Sequence, residues 1–307
     1  MALLDESANG VFIIAATPFS DNGALDLESV DRMVDFYLER GANGLTILGV
    51  MGEAPKLTEE ESRAVIGRAI ARARGAPIIV GVSAPGLASI RTLAASAMDA
   101  GAAGVMVAPP GHLRTDDQIY SYFDSVAETL GATPFALQDY PLATQVQISP
   151  KVILRIVEAL PSCVMLKHED WPGLAKIAAL RAASDRGARR ISILTGNGGL
   201  FLPEELQRGA DGAMTGFAYP EMMVGVVRAF RAGDPERARD LFDAYLPLAR
   251  YEQQPGIGLA VRKHVLARRG AIASPTLRKP GAAVSPADIA EVESLIARQT
   301  RRLREIG

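Results

Sequence analysis

The sequence is short of cysteine, histidine, lysine and tryptophan, and each shortage excludes something. A single cysteine, Cys163, rules out an internal disulfide framework and fits a reducing compartment. Three histidines, at 112, 168 and 264, leave little material for a metal centre, so none is expected. No apolar run approaches about 18 uninterrupted residues, which speaks against a membrane span. The opening MALLDESANG puts acids before any apolar stretch and makes a poor signal peptide. A net charge of −2 offers neither the basic excess of a nucleic-acid binder nor an acidic tail. The expectation is a soluble, cytoplasmic chain with no nucleic-acid or membrane partner. Its 307 residues suffice to bury a sizeable core.

What the chain has is rhythm. Short apolar runs recur at intervals of roughly 20 to 35 residues, as strand–loop–helix–loop units would place them. They read VFIIAATP from 11, GLTILG from 44, APIIVGVS from 76, AGVMVAPP from 103, TPFALQDYP from 133, CVMLK from 163, ISILTG from 191 and GAMTG from 212. Continuous β-branched and aliphatic runs of this length suit strands buried on both faces. Helical stretches lie between them. One has Asp26 as N-cap and Gly41 as C′ stop, and another has Thr58 and Glu61 spaced as a capping box. Eight such units predict an α/β fold, a (β/α)8 TIM barrel over residues 10–222. A doubly wound open sheet is the alternative, but AATPFSDNG after the first run has no G-x-G-x-x-G. From 223 to 307 helical periodicity takes over, predicting a C-terminal helical extension packed on the barrel.

A barrel carries its chemistry at the C-terminal ends of its strands. The candidates there are Thr17 and Pro18, Gly49 to Glu53, Gln138 to Pro141, Lys167 to Glu169, Thr195 to Asn197, and Thr215 with Gly216. Lys167 stands out because lysine supplies only six of the 33 basic residues and this one ends an apolar run. An apolar setting favours the neutral amine, which can attack a carbonyl and form an iminium that draws electrons from the neighbouring carbon. The competing reading is a strand-end lysine snorkelling to solvent. The glycines of GNGG (196–199) and TGFAYP can bring backbone N–H groups to a phosphate or carboxylate, or can be ordinary turn glycines. HED (168–170) is a weak metal motif, since neighbours on a strand face opposite ways.

In order and spacing these pieces resemble the dihydrodipicolinate synthase / N-acetylneuraminate lyase superfamily, from about residue 10 to 275. The matching tracts are TPF (17–19), GVMGE (49–53) for the family's GTTGE, LTEEE (57–61), QDYP (138–141) for YNxP, MLKHE (165–169) around the imine-forming lysine, GNG after strand seven and GADGAMTG (209–216). The resemblance departs where the family keeps its proton relay: Gln138 replaces the tyrosine, and Val50 and Met51 replace two threonines. Ala143 stands where synthases hold a substrate carboxylate with arginine, and Gly111 and His112 lie where a second tyrosine is lent across a dimer contact. QD-x-P, GAMTG and GAIAS (270–274) resemble the 2-keto-3-deoxy-L-arabonate dehydratase branch more closely.

The resemblance implies a lyase that forms a covalent imine with a small 2-oxo acid at Lys167, with no cofactor and as a homo-oligomer, a tetramer built as a dimer of dimers. Dehydration of a 2-keto-3-deoxy sugar acid is the leading expectation. Aldol cleavage or condensation with pyruvate is the rival, and a non-catalytic 2-oxo-acid-binding barrel the reading from another class. In this picture Lys167, Gln138, Asp139 and Tyr140 carry the chemistry. Gly49, Val50 and Met51 hold the substrate carboxylate, Thr195, Gly196 and Asn197 meet distal hydroxyls, and Met214 lines the floor near the imine. Glu53 is either a base or a loop anchor paired with Lys56, and His168 should face the helical layer.

Overall fold

The computed structural model describes residues 2–307, and every predicted apolar run in it is a strand. The strands are β1 Gly10–Ile14, β2 Gly44–Ile47, β3 Ile78–Gly81, β4 Gly104–Val107, β5 Phe135–Asp139, β6 Cys163–His168, β7 Ser192–Thr195 and β8 Gly212–Thr215. All pair in parallel and β8 closes on β1, giving a (β/α)8 barrel. Closure brings backbones close: a Cβ on Gly212 would lie 1.9 Å from the Gly10 carbonyl oxygen, so β8 can open only with glycine.

Strand alternation sorts the side chains into two cores. Phe12, Ile14, Ile79, Met106, Ala136, Met165, Leu194 and Met214 fill the barrel interior, with Leu4 from the N-terminal segment joining the same cluster. Val11, Ile13, Leu45, Ile47, Val105, Leu137, Leu166 and Ile193 face outward against the helices. Each fully buried aliphatic side chain of this kind contributes about 1.5–3 kcal/mol.

Helix ends follow the sequence. Asp26 caps the helix Leu27–Glu39 by accepting from the Ser29 amide, and Gly41 follows at φ 87°. Thr58 and Glu61 form a reciprocal capping box at Glu59–Ala73. After β8 come four helices, Pro220–Arg231, Pro235–Glu252, Gly258–Arg268 and Pro286–Ile306. The first begins before residue 223 and lies against β1 and the preceding helix Leu202–Gln207, completing the outer ring. The other three form the C-terminal extension. Arg278, in the segment before the last helix, donates to Glu61 at 2.6 and 2.7 Å and to the carbonyl oxygens of Gly23 and Lys56, tying that segment to the loops after β1 and β2.

No helix among the described residues is long and apolar enough to cross a membrane.

Candidate active site

A pocket enclosing about 360 Å³ opens at the C-terminal end of the barrel, its space partly shared with solvent. Ile14, Val50, Met51, Gln138, Tyr140, Lys167, Glu169, Asn197, Gly198, Thr215, Gly216, Gln253 and Arg262 line it. In-register pairing of β5 with β6 sets Gln138 beside Lys167, and the pleat turns both inward. Glu169 lies two residues beyond Lys167 and returns to the same face. Its Oε2 sits 2.9 Å from Lys167 Nζ and accepts from Gln138 Nε2 at 2.7 Å. Lysine, carboxylate and amide are all buried, so this chain of contacts works with little screening by water.

The glycines after β7 make room for these side chains. A Cβ on Gly196 would meet Glu169 Cγ at 2.2 Å, so the carboxylate that approaches this glycine is the protein's own. A Cβ on Gly198, which sits at φ 67°, would meet Gln253 Nε2 at 2.4 Å. Asn197 donates from Nδ2 to the Glu169 carbonyl at 3.0 Å, and the Gly198 amide donates to Thr215 Oγ1 at 2.8 Å. Tyr140 lines the pocket mouth. Burial and the Glu169 carboxylate raise its phenol above the ordinary tyrosine pKa, with Arg262 opposing them.

On the GVMGE tract, Thr17 Oγ1 donates to the Gly52 carbonyl at 2.5 Å and braces the turn. The turn is a short 3-10 helix, Val50–Gly52, whose own hydrogen bonds leave the N–H groups of Val50 and Met51 unspent at the pocket edge. Glu53 is an anchor: its Oε1 meets Lys263 Nζ at 2.6 Å and its Oε2 meets Lys56 Nζ at 2.8 Å and the Arg278 amide at 3.1 Å.

Five expected site residues are not in the pocket lining. Asp139 follows inward-facing Gln138 and therefore points outward, where it is paired at 2.7 Å with Lys176. Thr195 follows inward-facing Leu194 and also points outward, with Oγ1 3.3 Å from the Gly212 carbonyl. Met214 does face inward but belongs to the barrel core rather than the pocket lining. Gly49 precedes the lining residues Val50 and Met51, and Gly196 contributes by yielding space to Glu169. His168 turns into the helical layer, with Nε2 3.1 Å from the Gly173 carbonyl. The cation position beside Asp139 and Asp170 is filled by the ammonium of Lys176, at 2.7 and 2.8 Å.

Three contributors were not anticipated: Glu169 as the partner of Lys167, and Gln253 and Arg262, which arrive from the C-terminal extension. The spacing of 167 and 169 was a usable signal, since residues two apart on a strand share a face. For Gln253 and Arg262 no local pattern points to the barrel mouth.

Comparison with known proteins agrees with this geometry. The model of the Dihydrodipicolinate synthetase family matches residues 7–299. The chain is 31% identical over 296 residues to L-2-keto-3-deoxyarabonate dehydratase of Azospirillum brasilense, covering 94% of each. It is 33% identical over 247 residues to 4-hydroxy-tetrahydrodipicolinate synthase of Sorangium cellulosum, covering 78% of this chain and 79% of that one. Among solved structures it resembles dihydrodipicolinate synthase from Rhodopseudomonas palustris, with TM-score 0.96 and 54% identity over 97% of this chain and 100% of that one. With a family match over nearly its whole length and a lysine–carboxylate pair at the barrel mouth, the chain belongs to the dihydrodipicolinate synthetase family and is a lyase.

Proposed function

We propose that the protein dehydrates a 2-keto-3-deoxy sugar acid through an imine at Lys167, without a cofactor. The observation that carries this reading is the Glu169 carboxylate, 2.9 Å from Lys167 Nζ inside the pocket, in a site with glutamine rather than tyrosine at 138. Aldol cleavage needs a base for the C4 hydroxyl, and the Gln138 amide cannot serve. Dehydration needs a base for the C3 proton and an acid for the departing hydroxide, and both are present.

The substrate carboxylate takes the unspent N–H groups of Val50 and Met51. The Lys167 amine adds to the C2 carbonyl, and water leaves as the iminium forms. Glu169 removes a proton from C3, giving the enamine. The C4–O bond then breaks, and the Tyr140 phenol, which burial keeps protonated, supplies a proton so that the hydroxyl departs as water. Hydrolysis of the unsaturated iminium returns the amine, and the proton on Glu169 restores the phenol. Gln138 holds the carboxylate in place through its 2.7 Å bond.

The name of the 31% identical relative supports the same substrate class. Condensation with pyruvate is the second reading, favoured by the names of the synthase relatives. Kinetics with 2-keto-3-deoxy-L-arabonate, set beside pyruvate plus an aldehyde, separates them. Loss of water from the sugar acid is expected, with no condensation. Condensation without dehydration would reverse the assignment.

A further inference from the structure

Arg262 is buried at 1% exposure at the edge of this pocket, on the helix Gly258–Arg268 of the C-terminal extension. Its guanidinium is held on two sides. Nε donates to Glu252 Oε1, and Nη2 donates to the Gly216 carbonyl at 2.5 Å. Glu252 is itself fixed, its Oε2 accepting from the Ala218 amide at 3.1 Å. Nη1 is buried and has no partner. A buried donor left unpaired is costly, and a charged one more so. Glycine at 216 is what admits Nη1: a Cβ on that residue would meet it at 2.2 Å.

The position of Nη1 defines what it can reach. Lys167 ends β6, and the Val50–Met51 turn follows β2 on the far side of the mouth. A 2-oxo acid bound to both spans the barrel with C1 and C2, so its remaining carbons must rise out of the mouth. Arg262, on Gly216 beyond β8, and Gln253, over Gly198 beyond β7, stand at that exit. Formal charges along this wall cancel, Lys167 with Glu169 and Arg262 with Glu252. A neutral oxygen completes the guanidinium without adding an unbalanced charge, whereas a second carboxylate would add one.

Resting on the imine reading above, we infer that Arg262 is a specificity residue for the far end of the substrate, its Nη1 donating to a hydroxyl beyond C4. The C-terminal extension thereby selects for an oxygenated tail, with Gln253 beside it.

The test compares a five-carbon 2-keto-3-deoxy acid ending in a hydroxyl with the four-carbon acid that has a C4 hydroxyl and no C5. The variants are Arg262→Lys and the double variant Arg262→Gln/Glu252→Gln, since loss of Arg262 alone would strand a buried carboxylate. The expected result is a loss of about 10- to 100-fold in kcat/KM for the five-carbon acid, carried by KM and clearly larger than for the four-carbon acid. Equal losses on both acids, or none, would overturn the inference, as would wild-type preference for an acid ending in carboxylate. Borohydride trapping of pyruvate monitors the imine separately. If the wild type does not trap, the imine reading has failed, and calorimetric binding of the two acids to the same variants decides the distal contact by the same criterion.

Discussion

Lys167 and Lys263 are both buried, and both lie against a glutamate, at 2.9 and 2.6 Å. Their surroundings differ in what is left over. Lys263 gives further contacts to the Thr276 carbonyl at 2.9 Å and the Phe19 ring at 4.5 Å, and it is not among the residues that line the barrel-mouth pocket. Its partner Glu53 is shared with Lys56 and the Arg278 amide, so the cluster is a clasp between the β2 loop and the C-terminal extension. Lys167 has one carboxylate contact and faces open space, with Gln138 and Tyr140 around it. Burial and a carboxylate partner therefore do not make a lysine a nucleophile. Unspent bonding capacity beside a cavity does.

Breaking the two pairs should give opposite phenotypes. Lys167→Ala is expected to lower turnover by about ten-thousand-fold or more while the protein still folds, as judged by steady-state kinetics beside circular dichroism. Glu169→Gln should cost about a hundred- to ten-thousand-fold in kcat. It should still trap pyruvate, because the amine is retained and only the C3 base is lost. Rapid-quench trapping checks this, and loss of the adduct would make Glu169 necessary for imine formation instead.

Lys263→Met should leave the chemistry in place and lower stability by about 3 kcal/mol, held to the lower range because Glu53 keeps Lys56 and the Arg278 amide. Denaturant unfolding measures it. A kinetic defect with unchanged stability would erase the distinction between the two lysines.

A buried carboxyl outside the pocket sharpens the comparison with Glu169. Glu205 is pushed up to about 8, first by desolvation, with a hydrogen bond to Thr195 opposing it. The folded state therefore holds a proton that the unfolded chain releases near 4.5. Stability should fall as pH rises from about 4.5 to about 8 and then level off. Glu205→Gln should remove that slope and be the more stable form above pH 8, measured by thermal unfolding across pH. An unchanged slope would mean that Glu205 is ionised in the fold.

Much of this was legible in the sequence, and the misses have a common cause. The strand runs, the caps at Asp26 and Thr58, and Lys167 and Gln138 at the barrel mouth all follow from local pattern. Asp139 and Thr195 end their strands, but at positions of the outward parity. Gln138 facing in requires Asp139 to face out, and Leu194 does the same to Thr195. Parity also made Glu169 readable, since it shares the face of Lys167. Arg262 and Gln253 were out of reach for a different reason. Arg262 lies on a helix and Gln253 just past the end of another, and their docking over the mouth depends on distant contacts such as Arg278 with Glu61, which no local periodicity encodes.

The most direct test of the central claim is borohydride reduction in the presence of pyruvate, followed by intact mass and peptide mapping, with Lys167→Ala and Lys263→Met alongside. The account predicts one adduct, on Lys167, present in Lys263→Met and absent in Lys167→Ala. An adduct that persists in Lys167→Ala, or none in the folded wild-type protein, would contradict it.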